Sequence, residues 1–316
     1  MDHAEVGALT KPDVPNALQR FFDGDVWHSF RSSPVAMTAA VVAAICLFCA
    51  LGADWVAPHN PFDLASLELS DARLPPAWDD DGKSKYPLGT DDQGRDILSA
   101  LMYGARISLF VGFVSVLLSV FVGVGLGLLS GFVGGKVDAF IMRICDVMLS
   151  FPPILIALLI DGVGRAMFPN AHDTLAFAVL ILAISLSGWV KFARTVRGST
   201  MVERNREYVQ AARVIGVPPA RILWRHVLPN VTGPVLVLAT IDIGQAILIE
   251  ATLSFLGVGV PPTQPSLGTL IRTGNDFLFS GEWWITIFPG VVLVMIALSV
   301  NLLGDWLRDA LNPRLR

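Results

Sequence analysis

With 316 residues, 53% of them apolar and only 16% charged, the chain departs from soluble composition towards that of a membrane protein. Its net charge of -4 gives no general attraction for nucleic acid. A soluble all-helical core is disfavoured as well, because its helices would need polar faces that the longest apolar runs here do not have.

Residues 1–34 read as a cytoplasmic tail, in which Phe21, Phe22, Trp27 and Phe30 suggest a short helix at the membrane interface, with ordinary packing on the bundle as the alternative. A membrane-spanning helix needs about 20 apolar residues. Four charge-free runs approach or reach that length: Val35 to Leu51, Ile107 to Leu129, Thr174 to Val190 and Ile285 to Leu303. These are spans one, two, four and six. Two further runs carry polar residues, Val147 to Ile160 as span three and Val231 to Leu256 as span five. Span one follows a polar stretch and lacks a small-residue cleavage site, so it reads as a retained helix (35–51) and not a leader. Cys46 and Cys49 form a CxxC inside it, where packing as small hydrophobes is the expected role. Cys145 is the third cysteine, and His3, His28, His59, His172 and His226 show no metal-ligand spacing.

Residues 52–104 read as a periplasmic loop rich in Pro and Asp, closing on Gly94 and Asp96 as the start of an amphipathic helix with Ile97, Leu98, Leu101 and Met102 on one side. Gly82, Lys83 and Ser84 spell the end of a phosphate-binding loop, but Ala77 replaces its first Gly, so chance explains the match. In span two Ser115, Ser119, Gly123, Gly127 and Gly131 recur every fourth residue, a small-residue stripe that lets a second helix approach closely. Span three holds Arg143 and Asp146, spaced to pair, and Pro152 and Pro153, which predict a kink or break.

The 191–230 loop carries eight Lys and Arg residues. Tyr208, Ala211, Ala212 and Ile215 fall at i, i+3, i+4 and i+7, Gly216 supplies a stop, and Pro218 and Pro219 start a second helix over 220–228. A small-faced helical hairpin of this kind fits either an anionic membrane surface or a groove on another protein, and pattern alone leaves both open. With the N-terminus inside, 16 of the 23 Lys and Arg residues lie on the inner side, so six spans with both termini cytoplasmic satisfy the positive-inside rule. In span five, Asp242, Gln245 and Glu250 are costly against lipid, which fits a hydrated pore or gate and equally fits hydrogen bonds that hold helices together.

The string QAARVIGVPPARILWRHVLP resembles the EAA loop of bacterial ABC-importer permeases, with Gln210, Ala211, Ala212, Gly216, Leu228 and Pro229 at the motif positions. Gln210 stands where that family has Glu, with Glu207 one turn earlier as the available acid, and His226 replaces an aliphatic residue. LGTDDQGRDILSALMYGARISL, FVGGKVDAFIMRICDVMLSFP, EATLSFLGVGVPP, PSLGTLI and WWITIFPG followed by NLLGDWLRDALNPR are similar to the second ("C") permease of dipeptide and oligopeptide importers, with Asn312 in place of the usual Asp. The likeness runs from about residue 30 to the end.

That resemblance implies an all-α polytopic membrane bundle of six transmembrane helices with the type I ABC importer permease (MetI-like) fold. Its core would be 105–304, with a cytoplasmic coupling hairpin at about 197–230 and a cytoplasmic tail at 305–316. It implies half of a path for dipeptides or short oligopeptides through a bacterial inner membrane, and no catalytic, metal or cofactor site in this chain. ATP and Mg would be bound by two partner ATPase subunits. A second homologous permease and a periplasmic or surface substrate-binding protein would complete the complex. Relatives of this family also carry nickel, glutathione or opines. An intramembrane enzyme finds no HExxH or GxSxG, a helix-turn-helix DNA binder has no place between two spans, and an ion-coupled secondary transporter would usually show an inverted repeat, which is absent here.

Overall fold

The computed structural model describes residues 25–63, 67–167, 172–260 and 264–310. Phe21 and Phe22, and Asn312 with its neighbouring Pro313, lie outside these. The described chain is almost entirely helical, with an isolated bridge between Thr90 and Asp96. Five helices are long and apolar enough to cross a membrane, and a pair of helices bent by 91° makes six if it counts as one broken span.

A short helix α1 (Asp25–Ser32) leads into α2 (Pro34–Leu51), whose start is fixed twice: Ser33 Oγ accepts from Ala36 N at 3.3 Å, and Pro34 brings a preset backbone angle. Trp27 stacks on Phe30 and Phe30 meets Trp306 edge-on at 5.1 Å. The aromatic side chains of α1 thus pack against the bundle, as the alternative reading of that segment holds.

After the turn α3 (Ala53–Val56) and an irregular loop, α4 (Ile97–Val133) runs for 37 residues. Asp96 caps it by accepting from Ser99 N at 3.0 Å. The amphipathic helix expected at the end of the 52–104 loop is therefore the first turns of span two itself, with no break near 105. Its small-residue stripe meets α7 (His172–Glu203) directly. A Cβ at Gly123 would lie 2.5 Å from Phe192 Cβ, and one at Gly127 2.6 Å from Ala193 O. Close backbone approach is what holds such helices together in lipid, since lipid offers little apolar drive.

Span three is two helices, α5 (Gly135–Leu149) and α6 (Pro153–Met167), bent by 91° where Pro152 and Pro153 stand. Asp146 does not pair with Arg143; it takes Arg194 of α7. Span four is longer than its charge-free stretch because α7 continues through Lys191, Arg194 and Arg197 to Glu203. The interhelical loop therefore begins after 203 and not near 191. Beyond the hairpin, α10 (Leu228–Phe255) and α12 (Trp284–Ala310) are spans five and six. Between them α11 (Leu267–Asn275) dips back against α4 and α10, where a Cβ at Gly268 would meet Ala251 O at 2.4 Å. Neither hydropathy nor the small-residue pattern of the sequence singles out α11.

A candidate coupling hairpin and the charges within the bundle

Helix α8 (Glu207–Val214) projects at the end of the bundle where α4 and α7 finish. Val209 is wholly enclosed and Ala212 nearly so, and both join the core with Ile222 and Val227. Their neighbours on the other side are open: Gln210 and Ala211 are exposed, Val214 is 89% exposed and Ile215 80%. The expected face of Tyr208, Ala211, Ala212 and Ile215 is thus split, because Ala212 packs inward against its own chain and the outward patch is Gln210, Ala211, Val214 and Ile215. Glu207 is exposed at the first turn. An apolar patch this open, on a helix outside the spans, is what a docking surface needs.

Gly216 ends the helix as its type predicts. With φ at +84° it places its own N–H on Arg213 O and the next N–H, from Val217, on Ala212 O, a Schellman closure. Pro219 then opens α9 (Pro219–Ile222), which passes through a π-turn (Leu223–Val227) straight into α10. The second arm is therefore the head of span five and not a separate helix over 220–228. The cause lies in Pro229, which has no N–H and would crowd the carbonyl four residues back. The wider turn, closed by Leu228 N on Leu223 O, accommodates it. Leu228 is partly buried on the core, whereas Pro229 is exposed.

Polar contacts make the hairpin a fixed elbow. Tyr208 Oη donates to Glu203 Oε2 at 2.6 Å and accepts from Asn230 Nδ2 at 3.2 Å, tying α7, α8 and α10 at one point. Burial and the Glu203 carboxylate push the Tyr208 hydroxyl up to about 12, so it stays a donor at any physiological pH. Arg213 lies over the Phe132 ring at 5.5 Å. Below it, Arg197 grips Asp138 through two bonds of 2.5 and 2.7 Å, Ser130 donates to the same carboxylate, and Arg204 donates to Gly131 O at 2.9 Å. These contacts tie the ends of α4, α5 and α7 together beside α8.

The three span-five residues have different fates. Glu250 is wholly enclosed: Ser254 Oγ donates to it at 2.7 Å, and Ser108 of α4 and Ser266 at the start of α11 close on the same carboxyl. Asp242 is buried and takes Lys191 of α7. Gln245 faces outward and does not share a face with Asp242. Glu250 and Asp242 thus bind helix to helix. Lys191 goes unnoticed in the sequence because it looks like the first residue of a basic loop. A signal was there, since one acid and one base were left unmatched in adjacent spans.

Other sequence features settle simply. Lys83 is taken by Asp71, so its loop does not present a phosphate-binding lysine. Cys46, Cys49 and Cys145 are unbridged, and no cluster that could hold a metal occurs among the described residues.

Residues 123–316 match the family described as binding-protein-dependent transport system inner membrane component, and residues 22–76 match the N-terminal TM domain of oligopeptide transport permease C. The chain is 41% identical over 309 residues to the dipeptide transport system permease protein DppC of Escherichia coli K12, covering 98% of this chain and 97% of that protein. It is 38% identical over 303 residues to the di/tripeptide transport system permease protein DppC of Pseudomonas aeruginosa, covering 96% and 94%. Among solved structures, the MetNI methionine ABC transporter in an inward-facing form shares the fold with a TM-score of 0.54 at 19% identity, over 67% of this chain and 96% of the other. The chain belongs to the family of binding-protein-dependent transport system inner membrane components.

Proposed function

We propose that this chain forms half of the path by which an ATP-driven importer carries dipeptides or short oligopeptides across the inner membrane. The observation that carries the reading is the open patch of Gln210, Ala211, Val214 and Ile215, held rigidly at the hairpin end by Tyr208 and by the enclosed Val209 and Ala212. Its partners would be a second homologous permease, two nucleotide-binding subunits that hold ATP and Mg, and a substrate-binding protein on the outer side. The peptide substrate is supported by the likeness, near 40% identity and almost end to end, to relatives named for dipeptide transport. The inner placement of the hairpin and both termini rests on the excess of Lys and Arg on that side.

In this reading closure of the ATPase dimer pushes α8, and the Arg197–Asp138 and Arg204–Gly131 contacts pass the push to α4, α5 and α7. ATP binding supplies the free-energy difference between two bundle arrangements. The test is uptake of a dipeptide into proteoliposomes holding the full complex. Uptake should require ATP on the hairpin side and should fall at least tenfold when Ile215 is replaced by Asp, with the subunit still inserted. Uptake driven by an ion gradient without any ATPase subunit would overturn the reading.

A further inference from the structure

Between α4 and the head of α10 the bundle leaves an open groove of about 770 Å3. Phe121, Gly125 and Leu129, at every fourth position of α4, form one wall, Leu228 and Leu236 of α10 contribute the other, and Trp224 of the π-turn closes the hairpin end. The stretch from Phe121 to Leu129 rises about 12 Å at 1.5 Å per residue. One leaflet supplies about half of a hydrocarbon core roughly 30 Å thick, so the groove is about one leaflet deep. It lies in the hairpin-side leaflet, because α4 ends at Val133, one turn beyond Leu129.

Helices that meet in a bilayer do so over repeated small residues or through polar side chains, as α4 does on its other side, where Gly123 and Gly127 take α7. The groove offers neither. Gly125 has open space around it, but Phe121 and Leu129 flank it one turn either way. Thr232, the polar residue of the lining, turns its Oγ1 to Pro229 O of its own chain at 2.8 Å. A second helix would find no close seat and no hydrogen bond here, whereas a flexible acyl chain needs neither. The rim at the hairpin end adds a charge of one sign. Arg221 stands one turn before Trp224, and Arg213 lies over the ring of Phe132, one turn beyond Leu129, at 5.5 Å. Both arginines are exposed, and neither forms an ion pair among the described residues. Glu207, the exposed acid of α8, is about 120° from Arg213 around that helix and leaves the rim cationic. Trp224, 61% exposed, has the place an indole favours, between an apolar slot and a wet, charged edge.

We propose that this groove holds one anionic phospholipid, with an acyl chain lying over Gly125 and the phosphate on Arg221 and Arg213. A guanidinium presents paired donors that match phosphate oxygens, and a basic pocket beside spans at a leaflet surface is how headgroups of this charge are held. The hairpin then uses both of its possible partners on different sides. Gln210, Ala211, Val214 and Ile215 open towards protein, while the arginine side meets the headgroups. The site goes beyond the importer reading, and only its assignment to the inner leaflet shares that reading's orientation.

The experiment titrates the complete transporter, purified in detergent, with phosphatidylglycerol or with phosphatidylcholine and counts the retained lipids by native mass spectrometry. The parent should hold one phosphatidylglycerol at least tenfold more tightly than phosphatidylcholine. Arg213→Gln with Arg221→Gln should erase that preference, and Gly125→Leu, which fills the slot from a position with room for a side chain, should cost the complex that one lipid. Equal retention of the two lipids by the parent, or an unchanged count in the Gly125→Leu complex, would overturn the site. Loss of the second permease from the Gly125→Leu complex would overturn it too, because the groove would then seat a protein helix. A further measurement needs no variant: phosphatidylglycerol with a photoactivatable acyl chain, in vesicles of phosphatidylglycerol and phosphatidylethanolamine holding the parent complex, should mark the 121–129 and 228–236 stretches. Labelling of this chain confined to other stretches would overturn the proposal. Neither readout uses transport, so a complex that moves no dipeptide on ATP would refute the importer reading and leave the lipid result to stand or fall by itself.

Discussion

Ala211 and Ala212 are adjacent in the chain and 100° apart around α8, and the bundle covers only the second. The sequence shows both as one small patch because a helical stripe about 100° wide can be drawn on either side of them. What decides between the sides is Val209, whose burial turns Ala212 inward and leaves Ala211 out. Ala212→Leu should therefore overpack the joint with Ile222 and Val227, at a cost of about 1–3 kcal/mol, and make the hairpin sensitive to protease. Ala211→Leu should leave the hairpin as resistant as in the parent while uptake drops at least tenfold. Tyr208 gives a milder test. Tyr208→Phe removes the bond to Glu203 and should loosen the elbow by about 1 kcal/mol, seen as faster amide exchange in α8. The sign of its pH dependence follows from the raised hydroxyl. The neutral donor stabilises the fold at any pH below the ordinary tyrosine value of about 10, and its contribution fades only as pH climbs from there to about 12. Exchange in α8 should accordingly be flat between pH 6 and 9 once intrinsic rates are divided out.

Helix by helix, five crossings are legible because apolar length specifies them, and so is the break at Pro152–Pro153, where two rings remove donors in succession. Helix ends are not, and the reason is the same each time. Lys191, Arg194 and Arg197 look like the start of a loop, yet each has an acid on another helix: Asp242, Asp146 and Asp138. Each pair ties α7 to another helix, so α7 runs on past its charges, and no one-dimensional window can see the partner. The small-residue stripe shows which helix packs closely but not against what. The structure gives α7, and with it an internal control. Gly123→Leu should push α4 from Phe192 and Trp189 and lose folded protein, whereas at Gly125, which has open space around it, the same change should be accepted. Detergent-solubilised yield and thermal stability of the two variants, side by side, measure the difference.

For the molecule as a whole, the spans fix the middle and the two ends do different work. The hairpin end is held by arginines on carboxylates and carbonyls, while the other end is capped by the loop before α4. Trp284 Nε1 donates to Thr90 O at 3.2 Å, His59 N to Ser99 Oγ at 3.1 Å, and Arg106 reaches Asp54 at 3.0 Å. Within that cap Asp71 is the knot: Lys83 pairs with it, Tyr86 Oη donates to it at 3.0 Å, and Thr90 Oγ1 donates to its carbonyl at 2.5 Å. The Lys83 ammonium, then the Tyr86 hydroxyl, hold the Asp71 carboxyl below the usual carboxylate range even though burial opposes them. A carboxyl depressed in the folded state stabilises fully above its ordinary value near 4 and loses that contribution as pH falls through and below it. The cap should therefore be firm at neutral pH and open in acid, with protease cleavage of the 67–96 stretch rising below about pH 4. Asp71→Asn keeps an acceptor for Tyr86 but leaves Lys83 without its charge partner. Because that lysine is half exposed, the loss should be only about 1 kcal/mol, enough to raise cleavage at neutral pH and to flatten its acid dependence. An Asn variant whose cleavage still climbed in acid as steeply as the parent's would show that another carboxylate, and not Asp71, ties the cap down.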